Sequence, residues 1–151
     1  MTSKHIERLY IEDAIMENEM PQFQLFQEGN NWYFGGWHIT TTLQHNCELK
    51  LVLPSCYPDQ MPMVYVTSPL TLSKYGGGTI NSAQNSHSFH TLETGPNGCV
   101  QICHTKPQNW DASQTCVGVF TKILLWAEAY NVHLLTGRDI CDILDEWRKR
   151  Q

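Results

Sequence analysis

The apolar positions change their period along the chain, and each change marks a new kind of element. From Lys4 to Asn18, Ile6, Leu9, Tyr10 and Ala14 recur near the helical interval. That spacing predicts an α-helix with Ser3 able to cap its start and Pro21 ending it. Between Gln22 and Ser68 the period falls to two. Phe23, Leu25 and Gln27 alternate up to Gly29-Asn30-Asn31; Trp37, Ile39, Thr41 and Leu43 alternate up to a turn at Gln44-His45-Asn46. Cys47, Leu49, Leu51 and Leu53 follow, ended by Pro54, and Met63 to Thr67 forms a fourth run after a proline-rich segment. Strands joined by short turns predict an antiparallel meander with one face on a core.

Residues 69 to 109 break every period through Gly76-Gly77-Gly78, Asn81, Asn85, Gly95, Pro96 and Gly98. A loop of that length inside a compact domain is usually functional or disordered. It also holds His87, His90, Cys99, Cys103 and His104. Helical spacing returns afterwards. Asp111-Ala112-Ser113-Gln114 has capping-box spacing ahead of Val117, Phe120, Ile123, Leu124 and Ala127, with Trp126 and Tyr130 beside them. Thr136-Gly137-Arg138-Asp139 opens a last helix carrying Ile140, Ile143, Leu144 and Trp147. The expected fold is one α+β domain over residues 1–151: an N-terminal helix, a four-stranded antiparallel meander, a long active-site loop, a central helix and a short C-terminal helix.

Composition agrees with a packed domain, at 41% apolar and 17% charged residues in a chain of 151. The net charge of −5, without a basic cluster before Arg148-Lys149-Arg150, argues against nucleic-acid binding, which needs a basic face. No apolar run approaches the roughly 18 residues of a membrane span, and the first residues lack a secretory apolar run. The expectation is therefore cytoplasmic, with neither a membrane nor a nucleic-acid partner. Six cysteines at irregular spacing read as thiols rather than bridges.

Local motifs, in their order, resemble those of the ubiquitin-conjugating superfamily. Leu51-Val52-Leu53-Pro54 with Tyr57-Pro58 and Pro62, then Val64-Tyr65-Val66-Thr67-Ser68-Pro69, resemble the strands and Tyr-Pro segment of that family. Ile102-Cys103, then Trp110 and Thr115, resemble its active-site segment. Leu125-Trp126-Ala127-Glu128-Ala129-Tyr130, with His133 and Thr136-Gly137, resembles the bacterial members. The likeness runs over nearly the whole chain. It departs where the family carries His-Pro-Asn, since His90 precedes Thr91 and Leu92, and where Gly98 replaces the glycine closer to the cysteine.

The resemblance implies a ubiquitin-conjugating fold and a transferase that holds a ubiquitin-like modifier as a thioester on Cys103. Thiolate suits this role as nucleophile and as leaving group. Cys99 is the rival nucleophile under another alignment. Asn97 takes the place of the family's oxyanion asparagine, His104 and His90 are candidate helpers, and His133 stands where the family places a gating residue. Trp110 reads as a packing anchor. Implied partners are an adenylating activating enzyme, a target protein and a deubiquitinase-like metalloprotease of the same pathway, which in bacteria serves antiphage defence. The first helix, with Lys4, His5 and Arg8 among Glu7, Glu12 and Asp13, would meet the activating enzyme. No cofactor is expected. Two other readings stay open: a non-catalytic binding module of the same fold, and a structural zinc domain using His87, His90, Cys99 and Cys103.

Overall fold

A computed structural model describes residues 2–150. Three helices pack on one face of a five-stranded antiparallel sheet of order β1-β2-β3-β4-β5. Helix α1 (Ser3–Glu19) is followed by β1 (Gln24–Glu28), β2 (Asn31–Ile39), β3 (Asn46–Leu53) and β4 (Met63–Ser68). After a long irregular stretch come β5 (Val100–Ile102), α2 (Cys116–Thr136) and α3 (Ile140–Lys149). No helix among the described residues is long and apolar enough to cross a membrane.

The third strand has the alternation its sequence predicts: Cys47, Leu49, Leu51 and Leu53 face the core. Val64 and Val66 continue that face on β4, and Val100 and Ile102 on β5. Phe120, Ile123, Trp126 and Tyr130 of α2 close the core from the other side, with Phe23 stacked on Phe120 at 3.9 Å between ring centres.

Two expectations are corrected. The sheet has five strands rather than four. The extra strand is three residues long, too short to carry a period-two signal, and exists because both its edges are used. It pairs with β4, while the Leu92 N–H donates to the Gln101 carbonyl at 2.9 Å and Thr91 bridges Ile102. The second strand is also displaced. It starts at Asn31, buries Phe34 and ends at Ile39, leaving Trp37 and Ile39 on the outer face at 47% and 60% exposure. Thr41 to Leu43 leave the ladder for α2: the Thr41 N–H and hydroxyl both donate to the Glu128 carboxylate at 2.9 Å, and the Leu43 N–H donates to Asn131 Oδ1 at 3.1 Å. Glycine is required at Gly36, where a Cβ would come within 2.1 Å of the Gln22 carbonyl oxygen.

The helix starts shift by small amounts for identifiable reasons. Thr2, rather than Ser3, caps α1 by accepting from the His5 N–H. Thr115 caps α2 by accepting from the Gly118 N–H at 3.0 Å, while Asp111 turns the preceding loop by accepting from the Ser113 N–H at 2.7 Å. Gly137, at φ 77°, ends α2 in the left-handed conformation that favours glycine.

Candidate active site

Strand β5 delivers Cys103 to the floor of a cleft of ≈ 790 Å³. One wall is the loop containing Asn85, Ser86, His87 and His90; the other is the helical pair, through Lys122, Leu125 and Trp126 of α2 and Leu144 and Trp147 of α3. The apolar periodicity of both helices produces that second wall, since residues one turn apart share a face. The loop is held at several points. Its Phe89 carbonyl accepts from Trp126 Nε1 at 2.8 Å, its Ser88 carbonyl accepts from the Cys141 N–H at 2.9 Å, and its His90 carbonyl accepts from the Cys103 N–H at 2.8 Å.

Cys103 is half-buried, and its thiol lies 3.4 Å from the Thr105 carbonyl oxygen. Burial raises its pKa above the ordinary thiol value, opposed by the Thr105 backbone and by the ammonium groups of Lys106 and Lys122. Cys99 is 2% exposed, does not line the cleft, and has its pKa raised by burial. The two thiols thus differ in access, which decides reactivity as much as ionisation does.

Of the other sequence-selected residues, His90 and His104 line the cleft with Cys103, whereas Asn97 and His133 do not. Asn97 is exposed at φ 59°, in a turn before the start of β5, whereas Cys103 follows its end; the strand separates them. His104 lines the cleft beside Cys103, but its ring is turned into the domain. Its buried ring bonds the Pro62 carbonyl oxygen through Nε2 at 2.8 Å and meets Trp110 edge-on. Burial lowers its pKa, and Nδ1 has no hydrogen-bond partner. His133 is buried beyond the cleft: Nδ1 donates to the Arg138 carbonyl at 2.7 Å and Nε2 accepts from the Tyr75 N–H at 3.2 Å, which sets its neutral tautomer. His90 alone of the four lines the cleft with an accessible ring, its pKa lowered by burial and then by His87.

Trp110 is an anchor, donating from Nε1 to the Pro58 carbonyl at 2.7 Å and packing on Tyr57. The zinc set read from the sequence is not assembled: Cys99 lies apart, and the thiol beside His87 and His90 belongs to Cys141. Sequence reasoning missed Asn85, Asn109 and Lys122, which share the cleft with Cys103. Asn85 and Asn109 are the side-chain amides there, and no spacing motif singles them out.

The arrangement presents a half-buried thiol, two side-chain amides and two lysines lining one cleft. That set can form an acyl-thiol bond and stabilise the oxyanion that precedes it. No family model matches this chain, and no curated protein or solved structure matches it.

Proposed function

We propose that this chain is a thioester-forming conjugating enzyme of the ubiquitin-conjugating type, with Cys103 as its nucleophile. The observation that carries this reading is the placement of Cys103: it is a half-buried thiol that opens into a cleft between an ordered loop and two helices. The order of elements and the Ile102-Cys103, Trp110 and Thr115 motifs support it.

The Cys103 thiolate attacks the carbonyl of the modifier's C-terminal thioester on the activating enzyme. The new carbon–sulfur bond forms as the old one breaks, and the activating enzyme's sulfur leaves as thiolate. An acceptor amine then attacks the Cys103 thioester, loses a proton to solvent and expels the Cys103 thiolate. The Asn85 and Asn109 amides are the donors we assign to the transient oxyanion, in place of Asn97. The pathway around this step, a bacterial ubiquitin-like system with a deubiquitinase-like metalloprotease, rests on the resemblance alone.

The test combines the protein with its cognate activating enzyme, ATP and modifier. A dithiothreitol-sensitive adduct is expected, lost in Cys103→Ala and kept in Cys99→Ala. An adduct that persists in Cys103→Ala overturns the assignment.

A further inference from the structure

His87 and His90, which line the same cleft as Cys103, belong to a second group of side chains that the transfer chemistry leaves unused. A reverse turn closes from the His90 N–H to the His87 carbonyl at 3.2 Å and brings the two imidazoles to 5.7 Å between ring centres. Against them lies Cys141, in the first turn of α3, its Sγ 3.4 Å from His87 Nε2. The ligating atoms of His87, His90 and Cys141 all fall within 4.8 Å of one another. Asp145, one helical turn after Cys141, brings Oδ2 to 3.8 Å from its Sγ.

The geometry points to a transition-metal site, formed by His87, His90 and Cys141 and best suited to Zn²⁺. Tetrahedral zinc holds thiolate at about 2.3 Å and imidazole at about 2.0–2.1 Å, which separates a bound sulfur from a bound nitrogen by about 3.5 Å. The Cys141–His87 distance of 3.4 Å matches that separation. The softer sulfur with two imidazoles selects zinc or cobalt over magnesium or calcium, which take oxygen. The fourth position falls to the Asp145 carboxylate or to water. Asp145 also sits 3.9 Å from the Arg148 guanidinium, a long exposed pair that a metal can displace.

Such a site has a structural consequence. The Ser88 carbonyl already accepts from the Cys141 N–H, and the His90 carbonyl accepts from the Cys103 N–H. A metal bound by side chains at both ends fixes the cleft loop to α3 and, through His90, to the segment carrying Cys103. Binding displaces the Cys141 proton, which passes to solvent. The inference is independent of the thioester reading, because it uses neither Cys103 nor a modifier.

The test is metal analysis of the full chain purified without chelator, followed by titration of metal-free protein with Zn²⁺ or Co²⁺ alone. One ion per chain is expected. The cobalt form should show thiolate-to-metal charge transfer and the intense visible bands of tetrahedral coordination. Affinity should fall at least the roughly tenfold that loss of an outer partner costs, in both His87→Ala and Cys141→Ser, and should persist in Cys103→Ala and Cys99→Ala. His87 is exposed, so its variant keeps the test decisive if Cys141→Ser unfolds. Absence of stoichiometric binding overturns the site. So does binding that His87→Ala leaves unchanged.

Discussion

At the scale of single residues, Cys103 is set by two opposed effects. Removal from water favours the neutral thiol, while Lys106 and Lys122 favour the thiolate. The net shift is upward, so the alkylation rate of Cys103 should reach its inflection at higher pH than a small free thiol measured alongside. The Lys122 ammonium favours the thiolate, so Lys122→Gln should move that inflection further up. The measurement is iodoacetamide labelling against pH, with Cys103 located by peptide mass. An inflection unmoved or lowered in Lys122→Gln contradicts the electrostatic account. The sequence offered Cys99 and Cys103 as rivals because both lie in one irregular segment. Access separated them, and access depends on where β5 runs.

At the scale of elements, the central helix shows how local chemistry can be read and misplaced. Both Asp111 and Thr115 are good capping residues, and the capping-box spacing favours Asp111. The chain uses each for a different orphan donor: Asp111 turns the loop and Thr115 begins α2. Thr115→Ala should therefore cost about 1 kcal/mol, the usual value of a lost cap, read from the urea midpoint. Asp111→Ala, at an exposed turn, should cost less. The third strand was legible because its alternation is strict and its outer residues, Val52 apart, are polar. The second was not: Tyr33, Trp37 and Ile39 make its outer face as apolar as its inner one, so alternation gave no side. Three-residue β5 lies below any periodicity and follows from its two neighbours alone.

At the scale of the whole molecule, a buried charge joins α1 to the start of α2. Glu12 is 0% exposed. Its carboxylate accepts from the Tyr57 hydroxyl at 2.7 Å, the Cys116 N–H at 2.9 Å and Arg8 Nε at 3.0 Å. Arg8 in turn donates to the Ala112 and Gln114 carbonyls, both at 2.6 Å. The expectation that Glu12 shares the exposed face of α1 is thereby corrected, while Arg8 is half-buried and Lys4 and Glu7 stay on the surface. The negative charge also faces the positive end of α2. Removing it strands several donors, so Glu12→Ala should lower the unfolding free energy by about 3 kcal/mol, measured by urea denaturation. A loss below about 1 kcal/mol would be the value of an exposed pair and would contradict the burial.

The sequence by itself determined the α+β class, the three helices, the inward face of β3 and the long irregular stretch before β5, because these depend on period and on turn residues close together in the chain. Tertiary structure decided the rest. It placed Asn97 and Cys103 beyond opposite ends of β5, tied the His104 ring to the Pro62 carbonyl, and used His133, in the last turn of α2, to hold the Arg138 carbonyl beyond it. It also set Cys141, far along the chain, against His87 and His90. Spacing constrains neighbours on one element. Which side chains share a cleft depends on how elements pack, and no local pattern contains that information.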